Sequence, residues 1–218
     1  MKILEVKKEM FKKPYPELDE VSLRLDEYGP GEPVDILNWS AYSYRPEVHF
    51  NIAFSDDEIF IRYYITEEYI KAEKSASNQM VYEDSCVEFF VAPEEDGIYY
   101  NFEFNAIGTC LLGSGTGRQG RAMGSDKVIT DIRRKSTCGT EPFSERQGKF
   151  SWTIITAIPK KAFFKHSLSD FKGKTMRANF YKCGDKLTRP HYLTWNPVNT
   201  KNPDFHQPDC FGMLKFAD

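Results

Sequence analysis

Tyr82-Glu-Asp-Ser-Cys-Val-Glu-Phe-Phe-Val91 and Tyr99-Tyr-Asn-Phe-Glu-Phe-Asn105 are two runs of aromatic and β-branched residues in period two, separated by a polar turn that carries Pro93 and Gly97. This is the pattern of a β-hairpin. Alternation along a strand puts Val87, Phe89 and Val91 on one face and Cys86, Glu88 and Phe90 on the other. In the second run Tyr100, Phe102 and Phe104 share a face, and Asn101, Glu103 and Asn105 line the opposite one. Glu88 therefore lies between apolar neighbours with a polar stripe beside it. A carboxylate in that setting is costly unless it is paired or hydrogen-bonded.

Working outward, the same period recurs. Val48–Phe54 and Glu58–Ile65 form a second hairpin turning at Ser55-Asp56-Asp57, with Arg62 in mid-strand, where an ion pair to a neighbouring acid competes with any ligand role. Phe150–Ile158 alternates and makes Trp152 a core residue. Thr175–Tyr181 alternates Met176, Ala178 and Phe180 against Arg177, Asn179 and Tyr181, and Tyr192–Trp195 is a further short strand. Val21, Leu23 and Leu25 read as a short edge strand, Thr66–Met80 as a short helix or long loop with a solvated charged face, and Val128–Lys135 as a strand. Trp39 reads as a plug over one end. Six glycines between Gly108 and Gly124, with Arg118 and Arg121, lack the Lys-Ser/Thr ending of a phosphate loop and read as a loop rimming a site. Short strands, many turn signals and no linker or repeat predict an all-β fold, a single antiparallel β-sandwich of immunoglobulin-like or jelly-roll-like kind with one or two short helices, over residues 1–218 as one domain.

Composition narrows the function. Of 218 residues, 40% are hydrophobic and 15% aromatic, which is enough for a core with rings to spare for stacking. The net charge of −3 argues against nucleic acid, and no apolar run approaches the ~20 residues of a bilayer span, so neither nucleic acid nor membrane is expected as partner. The Lys- and Glu-rich Met1–Met10 segment is not a signal peptide, which fits a cytoplasmic protein by default, or an exported one from which a leader has been removed. Five cysteines, at 86, 110, 138, 183 and 210, include no Cys-x-x-Cys spacing, so a zinc site is not expected; one disulfide is compatible with export, with no pair named by the sequence.

Three blocks carry a resemblance. Asp84-Ser85-Cys86-Val87-Glu88-Phe89-Phe90-Val91 is similar to the Asp-Ser-x-Val-Glu-hydrophobic strand of carbohydrate-binding module family 9 and its relatives. Arg177–Asp185 with Pro190–Pro197, and Pro203-Asp204-Phe205-His206 with Phe211-Gly212, continue it in order over nearly the whole chain. The resemblance implies a β-sandwich that binds sugar without cutting it, a glucan- or xylan-type oligosaccharide or chain end. It also implies two aromatic walls around a terminal ring. One wall precedes the hydrogen-bonding Glu by six residues, which here is Tyr82 before Glu88, a Tyr where the family has Trp; the other matches Trp195. The candidate carbohydrate-binding residues are Tyr82, Glu88, Glu103, Asn105, Arg177, Asn179 and Trp195. Their chemistry suits sugars: planar bidentate acids, amides and guanidinium groups match adjacent hydroxyls, and rings stack on C–H faces. Other readings stand beside this one. Glu88 fits a structural ion pair, and Trp195 fits a core. Asp84, Asp185, Asp204 and Asp209 offer a structural calcium site, although no Asp-x-Asp-x-Asp-Gly loop exists. Glu88 and Glu103 fit the two carboxylates of a glycosidase, ~5–10 Å apart. Met176 and His191 would be the ligands of a haem-binding sandwich.

Overall fold

The computed structural model describes all 218 residues as a β-sandwich with two short helices. The strands are β1 (Ile3–Lys8), β2 (Glu32–Pro33), β3 (Ile36–Leu37), β4 (Glu47–Phe54), β5 (Glu58–Ala72), β6 (Cys86–Ala92), β7 (Tyr99–Asn105), β8 (Cys110–Gly115), β9 (Ala122–Met123), β10 (Arg133–Ser136), β11 (Phe143–Pro159), β12 (Thr175–Cys183), β13 (Tyr192–Thr194) and β14 (Gly212–Phe216). The helices are α1 (Leu18–Asp26) and α2 (Asp126–Asp131). One layer runs β9-β8-β7-β6-β12-β14, with β13 beside β12 and β3 beside β13. The other runs β10-β11-β5-β4, with β2 beside β4. Strand β1 stitches the layers together: Ile3–Val6 pair with β14 and Lys7–Lys8 with β4, both in parallel. The sheet is therefore mixed, which corrects the expectation of a purely antiparallel sandwich.

The alternation read from the sequence places the core. Val87, Phe89, Val91, Tyr100, Phe102, Phe104, Met176, Ala178 and Phe180 all enter one inter-layer cluster with Phe50, Ile61, Tyr63 and Trp152 from the facing sheet. Phe180 stacks on Phe50 at 3.7 Å and on Phe89 at 5.0 Å between ring centroids. The outer faces are covered as well. Helix α1 lays Val21 and Leu25 on Ala53, Phe60, Ile155 and Ala157 of the second layer. Over the first layer, the segments around Trp39 and Val198–Phe211 close a second apolar cluster on Cys86, Phe90, Tyr99 and Tyr181. Strand β6 is thus buried on both faces, which is why Cys-Val-Glu-Phe-Phe-Val reads as an almost continuous apolar run. Trp39 is 5% exposed and donates its indole N–H to the Thr200 carbonyl, so it caps this outer cluster.

Three sequence expectations are corrected. Val21–Leu25 is helical: Leu18, Val21 and Leu25 form a 3.6-period stripe while Leu23 is 68% exposed. The segment from Thr66 continues β5 as an extended arm to Ala72, pairing with Phe143–Ser151 across two register shifts, because the long hairpin supplies its backbone partners. Asp126–Asp131 is a short helix capped by the Ser125 hydroxyl, with strand resuming only at Arg133. No helix is long and apolar enough to cross a membrane.

Candidate functional site

Between the outer face of the first layer and the loops that cover it lies a cavity of about 390 Å³. Its floor comes from three adjacent strands: Glu88 and Phe90 from β6, Asn101 and Glu103 from β7, and Cys183 from β12. These side chains share a face because the strands pair in register, with Glu88 opposite Glu103 and Cys86 opposite Cys183. Tyr82, in the 3-10 turn Val81–Glu83, stands on one rim. Its carbonyl accepts the backbone N–H of Asp185 at 2.9 Å, which ties that turn to the loop after β12. Asp185 and Tyr192 continue the rim. Leu111 and Met123 border it on the β8–β9 side, and Asp204, Phe205 and His206 close it from above.

The glycine-rich connection reaches the cavity through Arg118, Arg121 and Met123. Arg121 donates to the Asn101 side-chain oxygen (2.9 Å) and to the Gly117 (2.8 Å) and Tyr99 (3.0 Å) carbonyls, with its guanidinium over the Tyr99 ring at 4.2 Å. Gly113 permits this arrangement, since a Cβ there would lie 2.6 Å from the Asn101 oxygen. Asn101 in turn donates to Glu103 Oε1 at 2.8 Å. Arg118 is 3.7 Å from Asp204, and Tyr99 hydroxyl and His206 Nδ1 share a 2.9 Å hydrogen bond.

The electrostatics are set by burial. Glu88 and Glu103 are 2% and 4% exposed. Burial raises the Glu88 carboxyl well above its ordinary value, with the Glu103 charge adding to the shift, and Cys183 Sγ–H donates to Glu88 Oε1 at 3.1 Å. Burial lifts Glu103 to about 7 and Asp185 to about 6. His206 is pushed down to about 4, chiefly by burial and secondly by Arg121, so it is neutral at neutral pH. Glu103, lifted to about 7, can both donate and accept near neutrality, and no donor of the chain reaches its Oε2.

Of the sequence candidates, Tyr82, Glu88 and Glu103 come together on this cavity and four others do not line it. Asn105 is fully buried, donating to the Lys74 carbonyl and Asp84 and accepting from Thr109 N–H. Asn179 braces Asn196 from both ends of its amide. Arg177 donates to the Pro208 and Asp209 carbonyls. Trp195 is fully buried in the inter-layer core, edge-on to Phe180 at 5.6 Å, with its indole N–H on Glu32 at 3.0 Å. Gly212 lies so close that a Cβ there would meet the Trp195 ring at 2.5 Å. Trp195 therefore has no face to offer a ligand; Leu193 and Trp195 share strand parity and both point inward. Arg62, on the other layer, pairs with Asp26 of α1 at 3.0 Å.

The remaining readings meet the geometry as follows. Two of the four aspartates named for calcium have hydrogen-bonding tasks of their own. Asp84 accepts from Lys74 N–H and Asn105, Asp204 from Gln207 and His206 N–H, and no three of the four converge. His191 has both ring nitrogens engaged, by the Arg189 carbonyl and by Lys182 Nζ, and Met176 is packed in the core, so neither is free to ligate haem. The residues missed by sequence reasoning are Asp185, Tyr192, Asp204, Phe205 and His206. They sit in the resemblance blocks; all but Tyr192, which opens β13, lie outside the strands, where no period assigns a face.

The profile of carbohydrate-binding family 9 matches residues 23–216. A solved protein from Bacteroides uniformis ATCC 8492, whose proposed role is carbohydrate binding, is 45% identical over 99% of both chains with a TM-score of 0.95. Two structures of a family 9 carbohydrate-binding module from Caldicellulosiruptor kristjanssonii, one with glucose and one with cellotriose, are each 14% identical over 99% of this chain. They cover 95% and 94% of those chains, with TM-scores of 0.58 and 0.59, a likeness of fold. No protein of curated function matches.

Proposed function

Because the chain belongs to carbohydrate-binding family 9, we propose that it binds a neutral oligosaccharide or chain end of glucan or xylan type in the cavity over β6, β7 and β12, without catalysis. The C. kristjanssonii module was solved with glucose and with cellotriose, and glucans are the first candidates of this reading. The observation that carries the reading is Glu103. Its Oε1 is held by Asn101, while Oε2 is buried without a donor from the chain, on the floor of a cavity bordered by rings. A buried acceptor left unpaired costs about 1–3 kcal/mol, and a sugar hydroxyl donating to it removes that cost. Tyr82 and Tyr192 supply flat apolar borders, with Phe205 behind them already stacked on Tyr181 at 4.1 Å.

One or two stacked rings and a few hydrogen bonds correspond to a Kd in the ~μM to mM range. An uncharged ligand makes binding only weakly dependent on salt. A calorimetric screen of gluco- and xylo-oligosaccharides with the intact protein tests the reading. Saturable heat with at least one supports it, and flat titrations across the set at millimolar ligand overturn it.

A further inference from the structure

Cys86 and Cys183 are 97 residues apart by number, yet the antiparallel pairing of β6 with β12 sets them directly opposite each other. Glu88, two residues along β6, projects from the same face. Cys86 Sγ, Cys183 Sγ and a Glu88 oxygen all lie within 4.8 Å of one another, and all three residues are buried. We propose that Cys86, Glu88 and Cys183 form a binding site for a thiophilic divalent cation, zinc in the first instance.

Three lines of geometry and chemistry lead there. First, the spacing fits one ion. Two thiolates at the usual ~2.3 Å from zinc stand about 3.8 Å apart in a tetrahedron, within the separation the strands impose. Cys183 Sγ already sits 3.1 Å from Glu88 Oε1, so the donor atoms converge without backbone movement. Second, the donor set is selective. Two soft sulfurs and one oxygen suit zinc and disfavour calcium or magnesium, which take oxygen ligands. Third, there is an entry path and an open position. Glu88 and Cys183 line the cavity, so the fourth ligand, a water or a hydroxyl, comes from that side. Three protein ligands and one exchangeable position is the arrangement of open zinc sites. Uptake replaces the two S–H protons, and any proton on the Glu88 carboxyl, by metal–ligand bonds and releases those protons to solvent, with no change of oxidation state.

The site is independent of the sugar reading, because cation uptake is measured without any glycan. The full-length protein, reduced and stripped with a chelator, is titrated with zinc by calorimetry and with cobalt(II) by absorption. One ion per chain and a thiolate-to-cobalt charge-transfer band are expected. Cys86→Ser and Cys183→Ser should each lower affinity by at least about 100-fold, since outer-shell changes alone cost 10–100-fold, while Cys138→Ser should leave it unchanged. Should either serine variant fail to fold, the wild type still decides. Zinc added to the cobalt-loaded wild type should displace the cobalt and bleach the band. Absence of the charge-transfer band, a band that persists in the Cys86→Ser/Cys183→Ser double variant, or a cobalt band that excess zinc leaves unchanged would each overturn the proposal.

Discussion

Glu88 and Glu103 stand directly opposite each other on neighbouring antiparallel strands, with both carboxyl groups buried on the floor of the same cavity. This pairing has a consequence for stability. Burial lifts Glu103 to about 7 in the folded chain, against roughly 4.3 when unfolded. Between those values the folded state holds more protons than the unfolded one, so stability falls as pH rises. The contribution is fully present below about 4.3 and lost as pH passes through 7. Asp185, at about 6, acts in the same direction, and His206, pushed down to about 4, acts in the opposite one below its ordinary value. The wild type should therefore lose thermal stability between pH 5 and 8 more steeply than Glu103→Gln, which keeps an acceptor for Asn101 but cannot ionise. Parallel curves for the two proteins would show that Glu103 is not shifted by its site.

Trp195 belongs to the core. Replacing it with Ala removes a fully buried indole packed on Phe50, Phe180 and the Gly212 backbone. It should cost ~3–5 kcal/mol, read as a shift in the urea or thermal midpoint. A midpoint near wild type would contradict this placement.

Lys182 and Glu67 form an ion pair at 2.9 Å with both side chains fully buried, and Trp152 donates its indole N–H to Glu67 at 2.8 Å. Removing one partner leaves an uncompensated charge, so Lys182→Met alone should destabilise by about 3–5 kcal/mol. The double change Lys182→Met/Glu67→Leu should recover a large part of that loss, because taking two charges out of water offsets much of their attraction. Equal destabilisation by the single and double changes in chemical denaturation would contradict the account.

The acid pair also invites a catalytic reading, which activity assays test. Glu88 Oε1 is taken by the Cys183 thiol and Glu103 Oε1 by Asn101, so each carboxyl group has one oxygen committed to the chain. Incubation with aryl glycosides and with β-glucan or xylan should yield no product. Turnover that vanishes in both Glu88→Gln and Glu103→Gln would replace the binding reading with a glycosidase.

Much of the architecture was legible because period two is unambiguous where strands are long. The faces of Val87–Val91, Tyr100–Phe104 and Met176–Phe180 follow from alternation, and with them Glu88 and Glu103 on the cavity side. The helix α1 was misread because Val21, Leu23 and Leu25 fit a strand by themselves; Leu18, outside that window, carries the helical stripe. The reading of Trp195 as a site residue came from its block, whereas its shared parity with Leu193 pointed inward. The dithiol pair could not be seen in advance, since strand pairing between β6 and β12 brings the two cysteines together, and spacing along the chain is silent about it. The loop residues Asp185, Asp204 and His206 carry no periodic signal, and their places depend on how the covering segments fold over the first layer.

The central claim is that the cavity between Tyr82 and the acid floor holds a sugar, and calorimetry of cellotriose with wild type and Tyr82→Ala tests it most directly. Tyr82 is only partly buried, on a 3-10 turn at the rim, so its removal should change stability by no more than roughly 0.5 kcal/mol. Loss of one stacking ring should weaken binding by about 1–3 kcal/mol, by analogy with bases stacked on aromatic side chains. The account predicts saturable binding to the wild type and a fall of about fivefold or more in Tyr82→Ala at unchanged melting temperature. Equal affinity in the two proteins, or no heat with either at millimolar cellotriose, would contradict it.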